Sequence, residues 1–358
     1  MRLLKILLLL VALLAAVLLW MMRPGDLDAV GWQAPPAQPL TGVLAENQRL
    51  ADTARLGDGV LAGPEDVVVD ADGNLFTGTE DGRIMRIDRQ GDTSTFARTG
   101  GRPLGLAFAP DGQLIVADAY KGVLSVSANG SVQTLLAEVG GAPLNFADDV
   151  VVDRDGIIYI SDASTRFGLA EFKTDLMVGR PYGRVLRFDP VNGDVQVLMD
   201  GLYFANGVTL SPEQDFLLVN ETYRYRVLRY WLRGERAGQH EVFSDNLPGF
   251  PDNISTRPNG DGYWVALPSR RNAVLDQVGH LPWMRNLIAR LPAALQPAIE
   301  PFALVVALDN DGRLVDAPMD PQGRQVSGLT SVVEYDGALY LGALHGSAIG
   351  RWRLSPAP

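Results

Sequence analysis

One phrase recurs along most of the chain: an apolar run, a turn that usually contains Asp and Gly, and a second apolar run. The six copies are VVVDADGNLFTGT from Val67, LAFAPDGQLIVAD from Leu106, VVVDRDGIIYISD from Val150, VTLSPEQDFLLVN from Val208, ISTRPNGDGYWVAL from Ile254 and SVVEYDGALYLGA from Ser331. Asp-Gly supplies the positive φ that tight turns require, so each copy predicts a β-hairpin. The copy at Val208 has Glu213-Gln214-Asp215 instead of Asp-Gly.

A further apolar run often follows the hairpin. Examples are GRIMRID, GVLSV, GRVLRFD, RVLRYWL and GSAIGRWRL. Three or four short strands per copy, repeated roughly every 40–60 residues, are typical of a β-propeller. The sequence therefore predicts an all-β fold, a six-bladed β-propeller over residues 46–358.

The composition limits the chemistry that this fold can carry. The chain of 358 residues has no Cys, 3 His, 31 Lys and Arg, and 42 Asp and Glu, which gives a net charge of −11. No disulfide or thiolate metal site is possible. A zinc site is disfavoured because catalytic zinc usually takes two or three His or Cys ligands. The excess of acids argues against nucleic acid as a partner. Any metal site should have oxygen ligands, which suit calcium or magnesium.

The N-terminus carries a hydrophobic segment. Arg2 and Lys5 precede an apolar run that extends from Ile6 to Met22 and stops at Arg23-Pro24. This predicts a transmembrane signal anchor over residues 1–23, with a cleaved signal peptide and a buried helix as alternatives. Positive charges before the run would place the propeller of a single-pass membrane protein on the periplasmic or extracellular side. Residues 24–45 contain four prolines and are interpreted as a linker.

One copy of the repeat contains an insertion at about residues 277–300. Its apolar side chains fall at helical spacing, namely Trp283, Leu287, Ile288 and Leu291. Pro282 suits the start of a helix and Pro292 would end it. The helix could cap one face of the propeller, form a lid over the mouth, or contact a membrane surface.

Aligning the repeats predicts a metal site. In a propeller, the residues just before the first strand of each blade lie near the central axis. These positions are Glu65-Asp66, Leu104-Gly105, Asp148-Asp149, Asn206-Gly207, Asp252-Asn253 and, in the last copy, Leu329 or Thr330. Carboxylates near one axis repel one another unless a cation is present, and mixed carboxylate and amide oxygens suit Ca²⁺. Glu65, Asp148, Asn206 and Asp252 are the predicted ligands, with Asn253 as a further candidate. Asp and Asn at such turns can also serve local backbone bonding.

The chain resembles the calcium-dependent six-bladed propellers that include strictosidine synthase-like proteins, paraoxonases and gluconolactonase/regucalcin. The resemblance is strongest to the strictosidine synthase-like branch that contains adipocyte plasma membrane-associated protein. It covers nearly everything after about residue 45. The motifs that carry it are GPEDVVVD, GRPLGLAF, IYISDASTRF, YGRVLRFDP, GLYFANGVTLSP, NETYRYRVLRYWL and LPGFPDNI.

The resemblance implies calcium ligands at Glu65, Asn206 and Asp252, with Asn253 matching an extra asparagine. Many relatives have Asn-Asp where this chain has Asp148-Asp149, which adds a negative charge. The resemblance also implies that Asp252 can act as a nucleophile or as a base for water, with a role as a metal ligand alone as the alternative. Paraoxonases use a His near the position of Leu104, and Leu104 cannot transfer protons.

Two further residues are catalytic candidates. His345 lies in the last copy and could face the channel mouth, although a lone His is more often a packing or surface residue. Glu334 is the nearest acidic residue to the glutamate that strictosidine synthase itself uses, and its position beside a turn also suits an exposed, structural Glu.

The sequence thus leaves three functions open. The first is a membrane-anchored, calcium-dependent hydrolase of small ester or lactone substrates. The second is a non-catalytic propeller that binds a ligand or protein and holds structural calcium. The third is a condensing lyase that joins an amine to an aldehyde, as strictosidine synthase does.

Overall fold

The computed structural model describes residues 2–21, 27–292, 295 and 301–354. The chain forms two compact units. One is built from residues 36–170, 181–271 and 299–358, and the other from residues 1–35, 171–180 and 272–298. The larger unit contains every strand and forms the predicted six-bladed β-propeller.

Each blade is a sheet of antiparallel strands, and the repeated phrase supplies its first two strands. Blade one contains Val68–Val69, Leu75–Gly78, Arg83–Ile87 and Thr93–Arg98. Blade two contains Pro103–Phe108, Leu114–Asp118, Gly122–Val126 and Val132–Leu136. A small hairpin, Glu138–Val139 with Ala142–Pro143, leads to the next blade. Blade three contains Ala147–Val152, Ile158–Asp162, Gly183–Asp189 and Asp194–Leu202.

The remaining blades keep the same order. Blade four contains Ala205–Leu210, Phe216–Glu221, Arg226–Trp231 and His240–Ser244. Blade five contains Ile254–Thr256, Tyr263–Ala266, Ala303–Leu308 and Leu314–Asp316, and the short strand Met319–Asp320 pairs with the third of these. Blade six contains Leu329–Tyr335, Ala338–Ala343 and Ile349–Arg353.

The outer strand of blade six comes from the other end of the chain. Ala54–Leu56 pairs antiparallel with Ile349–Arg353, so an early segment completes the last blade and closes the ring. The apolar core lies between the blades as six clusters, one at each junction. Burial of these alternating apolar residues is the main force that holds neighbouring blades together.

The smaller unit contains the helices α1 (Arg2–Met21), α2 (Phe172–Val178), α3 (Ala273–Val278) and α4 (Pro282–Arg290). α4 lies in the predicted insertion; Pro282 is in its first turn, and the helix ends before Pro292. α2 and α4 are joined by Arg285, a buried residue whose Nε donates to Met177 O at 2.8 Å. Short 3₁₀ turns occur at Gly42–Leu44, Arg49–Asp52, Leu169–Glu171 and Thr222–Arg224.

The predicted single-pass membrane anchor is wrong. None of the helices within the described residues combines the length and the apolar character needed to cross a membrane. α1 includes Arg2 and Lys5, and its apolar remainder, Ile6–Met21, is shorter than the roughly 20 residues that a spanning helix needs. Met22 and Arg23 of the predicted anchor, residues 24–26 of the predicted linker, and residues 293–294 and 296–300 of the insertion lie outside the described residues.

Candidate metal centre and active site

In four of the six blades the first strand has an irregularity near the axis, whereas the described first strands of blades one and five pair without a register shift. The pairing between first and second strand shifts register from Ala147 to Val150 in blade three and from Ala205 to Val208 in blade four. Blades two and six shift at the matching places. Such β-bulges redirect side chains and are frequent next to active sites. Here the bulges contain the residue pairs that the repeat alignment places on the axis.

Three of the four predicted ligands have a side-chain oxygen without a hydrogen-bond partner. Glu65, Asp148 and Asn206 are buried, with 3%, 7% and 4% of their surface exposed. Glu65 Oε2, Asp148 Oδ2 and Asn206 Oδ1 accept no hydrogen bond. Buried oxygens normally have a partner, so three orphans at matching positions indicate a missing ligand. Asp252 differs because it is only half-buried.

These carboxylates destabilise one another's charged forms. Burial raises the pKa of Glu65 well above its usual range, and repulsion from Asp252, Asp66 and Asp148 raises it further. Burial, followed by repulsion from Asp252, also raises the pKa of Asp148. Burial raises the pKa of Asp252 to about 8, although a hydrogen bond from the Asn206 side chain opposes the shift. Three like charges that repel in a buried space would be stabilised by a cation.

The second residue of each pair has a structural role. Asp66 accepts from Val67 N at 2.7 Å in its own blade and from Leu106 N at 2.9 Å in the next blade. Asp149 repeats the pattern, since it accepts from Val150 N at 2.7 Å and from Val208 N at 2.8 Å. These aspartates fasten neighbouring blades, so the axis carries two kinds of acidic residue.

Asparagines and a threonine hold the cluster in place. Asn253 Nδ2 donates to Glu65 Oε1 at 3.0 Å, and Thr330 Oγ1 donates to Glu65 O at 2.7 Å. Asn220 Nδ2 donates to Asp252 O. Asn253 therefore orients Glu65 in this structure, whereas Asn220 Oδ1 is another buried oxygen without a partner. Asn220 was missed as a site residue because it lies at the end of a second strand, outside the aligned pairs.

The other catalytic candidates are placed differently. Glu334 lies near the far end of its strand, Leu329–Tyr335, and accepts from Trp264 Nε1 at 2.6 Å. Its second neighbour is Arg257, at 3.6 Å. Since Thr330 at the start of that strand contacts Glu65, Glu334 lies roughly 13 Å further along the strand and does not join the axial cluster. His345 is exposed in the turn after Ala338–Ala343, on the same end of the blade as the cluster.

The donor set fits calcium. Glu65, Asp148, Asn206 and Asp252 offer only oxygen atoms, of mixed carboxylate and amide type, as Ca²⁺ prefers. Across the described residues, no three His, Asp or Glu side chains are already arranged as a metal site. The fit to calcium therefore rests on the type and burial of the donor oxygens, which belong to three carboxylates and one amide, and not on a preformed coordination geometry.

Comparison with solved structures defines the class. The chain matches a gluconolactonase from Xanthomonas campestris with a TM-score of 0.63 and 18% identity, covering 93% of this chain and 99% of that one. The calcium-binding protein regucalcin from Agrobacterium tumefaciens matches with a TM-score of 0.57 and 16% identity, over 87% and 96% of the two chains. At these identities the likeness concerns the fold, which is that of the six-bladed β-propellers.

Sequence comparison identifies the family within this class. Residues 148–235 match the strictosidine synthase family model, and residues 42–87 match the strictosidine synthase-like N-terminal model. Adipocyte plasma membrane-associated protein from Gallus gallus is 37% identical over 92% of this chain and 84% of its own length. Strictosidine synthase-like 7 from Arabidopsis thaliana is 36% identical over 88% and 85%. The chain belongs to the strictosidine synthase-like family.

Proposed function

We propose that this protein is a calcium-dependent hydrolase of small esters or lactones. The observation that supports the proposal is the axial cluster, in which three buried ligand oxygens have no partner and a fourth ligand, Asp252, is half-buried. Glu65, Asp148, Asn206 and Asp252 would hold the ion. When bound, calcium would polarise the substrate carbonyl and stabilise the charge that develops on its oxygen.

Each side chain then has a distinct task. Glu65 and Asp148 supply negative charge below the reacting centre, and Asn253 fixes the orientation of Glu65 through its 3.0 Å bond. Asp252 is the most accessible of the four, so its carboxylate is the one that can meet water or substrate. It would accept a proton from the attacking water, or attack the carbonyl carbon itself.

A non-catalytic binding propeller is the second candidate. Leu104 supports it, because this residue occupies the axial position of blade two and is buried, with 1% of its surface exposed. Neither it nor Thr330 in blade six can act as a base near neutral pH. In that case calcium would only stabilise the centre of the propeller, and the mouth would bind a ligand without catalysing a reaction. The condensing lyase has less support because Glu334 is bound to Trp264 outside the cluster.

The decisive experiment measures metal-dependent turnover. The full chain would be assayed on a panel of aryl esters and lactones after treatment with EDTA and after calcium is restored. We expect calcium to restore activity and Asp252→Asn to lower kcat by on the order of 100-fold or more. Asp72→Asn is the matched control, because Asp72 is exposed in a hairpin turn.

Two results would contradict the proposal. One is turnover that persists unchanged in Asp252→Asn. The other is a thermal shift with calcium in the absence of any hydrolysis across the panel, which would favour the binding propeller.

A further inference from the structure

A second ring of residues surrounds the axial cluster. It consists of the residue two places before each axial position, so every blade contributes one member. The members are Gly63, Arg102, Phe146, Phe204, Phe250 and Gly328. Blades three, four and five each contribute a phenylalanine, whereas the other three contribute two glycines and one arginine. At this level of the propeller, three neighbouring blades therefore carry an aromatic residue and blade two carries a cation; we call this axial end of the propeller the mouth.

Arg102 is buried, with only 3% of its surface exposed. Its Nη2 donates to Gly63 O at 2.9 Å in blade one and to Leu344 O at 3.4 Å in blade six. Gly63 leaves the room that this arrangement needs, since a Cβ there would lie 3.0 Å from Arg102 Nη2 and 2.4 Å from Leu344 O. The guanidinium of Arg102, a residue of blade two, is thus fixed by contacts with blade one and blade six.

One end of this guanidinium has no partner. Arg102 Nη1 is buried and donates no hydrogen bond within the described part of the chain. A buried cationic donor without an acceptor is costly. No neighbouring acid bonds to it: Asp118 Oδ1 accepts from the backbone N–H groups of Arg102, Tyr120 and Lys121, Asp118 Oδ2 is buried without a hydrogen-bond partner, and Glu80 is exposed. Burial lowers the pKa of Arg102, and the negative charge of Glu65 opposes that shift.

The bonds of Arg102 allow it to meet a ligand. The hydrogen bond from Arg102 Nη2 to Leu344 O is long. A small shift of the guanidinium towards the mouth would therefore cost little hydrogen-bond energy. The planar fork of an arginine matches a carboxylate better than it matches a single neutral oxygen.

The three phenylalanines of the ring each pack against another aromatic ring, in two groups. Phe146 and Phe204 meet edge to face with their centroids 5.3 Å apart, and Phe204 stacks on Tyr223 at 4.6 Å. Phe250 packs against Tyr225 at 4.9 Å. Phe204 has a φ of 64°, an unusual backbone conformation for a bulky residue. Strain of this kind is frequent at binding sites, and here it orients an aromatic ring beside the axis.

We propose that Arg102 is the specificity-determining residue of this mouth and binds the carboxylate of substrates that combine an anionic group with an apolar or aromatic body. The proposal rests on the hydrolase function for its catalytic consequence, but the binding step can be tested alone. The preferred substrates would then be esters or lactones that carry a second, free carboxylate.

The first test measures binding without turnover. The full chain with calcium is titrated calorimetrically with phenylacetate and with phenylacetamide, which has nearly the same shape but no charge. We expect phenylacetate to bind roughly 10- to 100-fold more tightly, as a hydrogen-bonded charge pair would allow. Equal affinity for the two compounds would overturn the proposal, whatever the outcome of the hydrolase assays.

The second test uses Arg102→Lys and Arg102→Gln, with Arg86→Gln as a matched control because Arg86 is exposed on a third strand. The preference of each variant for phenylacetate over phenylacetamide is measured, and for any active variant the ratio of kcat/KM for monomethyl adipate to that for dimethyl adipate. We expect both ratios to fall by about 10-fold or more in Arg102→Gln, mainly through KM, and less in Arg102→Lys.

The control variant should keep the wild-type ratios. If Arg102→Gln does not fold, the Arg102→Lys variant and the titration of the wild type test whether Arg102 binds the carboxylate. Unchanged ratios in folded Arg102 variants would show that Arg102 only fastens the blades. Tight binding of phenylacetate without any ester hydrolysis would retain this assignment and remove the proposed hydrolase function.

Discussion

Two adjacent aspartates in blade three serve different purposes. Asp149 is satisfied by the backbone N–H groups of Val150 and Val208, whereas Asp148 Oδ2 has no partner and faces other carboxylates. The bulge between Ala147 and Val150 is what separates them, because it turns consecutive side chains in unrelated directions. The repeat alignment selects Asp148 as a ligand, but it does not reveal that Asp149 joins neighbouring blades through Val208.

Replacing each aspartate by asparagine should separate the two roles. Asp149→Asn turns one acceptor into a donor that faces a buried N–H, so we expect the free energy of unfolding to fall by about 1–3 kcal/mol with or without calcium. Asp148→Asn removes a repelling charge, so we expect the calcium-free protein to be at least as stable as the wild type. Urea unfolding followed by circular dichroism, in EDTA and in calcium, measures both.

The calcium response provides the contrast. Asp148→Asn loses one charged ligand and should show a smaller stabilisation by calcium than the wild type, whereas Asp149→Asn should keep the wild-type increment. If both variants lost the same amount of stability in EDTA, Asp148 would be a structural residue like its neighbour.

At the scale of elements, the hairpin phrase predicts the strands because its turn chemistry is local. The Asp-Gly turns appear where expected, with φ of 82° at Gly73 and 85° at Gly112. Ala54–Leu56 is different: it is three residues long, contains Arg55, and obtains its hydrogen bonds from Ile349–Arg353 at the other end of the chain. No local sequence pattern predicts such a strand, because it forms only by pairing with a strand that is distant in the sequence.

The residues of the site likewise divide into those that a sequence pattern predicts and those that depend on contacts between distant parts of the chain. Glu65, Asp148, Asn206 and Asp252 could be found from sequence because the repeat places them in one register. Arg102 could not be found in this way, since its role depends on carbonyl groups 39 and 242 residues away in the chain. Its position two places before Leu104 is a usable signal only after the ring of matching positions has been recognised.

Within the smaller unit, α2 and α4 depend on one side chain. Arg285 of α4 donates to the carbonyl groups of Leu176 and Met177 at the end of α2, where the helix stops at Gly179 with a φ of 63°. Terminal carbonyls of a helix need such donors. We therefore predict that Arg285→Met releases the end of α2, because buried acceptors lose a charged partner.

Hydrogen exchange measures this effect locally. Amides of Phe172–Val178 and Pro282–Arg290 should exchange about 10-fold faster or more in Arg285→Met, while amides of the blade strands keep their protection. Lys173→Met on the exposed side of α2 is the control and should change neither segment. Equal protection in the two variants would show that Arg285 is dispensable for this pair of helices.

At the scale of the whole molecule, the propeller concentrates part of its negative charge at its own axis. Six blades converge there, and three of them contribute a buried or half-buried carboxylate, Glu65, Asp148 and Asp252. The inter-blade aspartates Asp66 and Asp149 add to the field. Closing the ring therefore has an electrostatic cost, which is offset when either protons or a cation bind at the axis.

This arrangement predicts an unusual dependence of stability on pH. Burial raises the pKa of Asp252 to about 8 and that of Asp66 to about 6 in the folded chain, against roughly 4 in an unfolded chain. Between about pH 4 and pH 8, the folded chain therefore binds more protons at these carboxyls than the unfolded chain does. Without calcium, the free energy of unfolding should rise as the pH falls from above 8 towards 6, until the unfolded carboxyls also become protonated near pH 4.

Calcium should remove or reverse this trend, because a bound cation favours the ionised carboxylates and competes with the protons. The measurement is thermal unfolding of the full chain between pH 5.5 and 8.5, in EDTA and in excess calcium. We expect the gain in Tm from calcium to be largest at the alkaline end. Asp252→Asn should flatten the response in EDTA between pH 7 and 8.5, since it removes the group that titrates there. A calcium-free protein whose Tm increased steadily from pH 6 to pH 8 would show that the axial carboxylates are already neutralised within the fold.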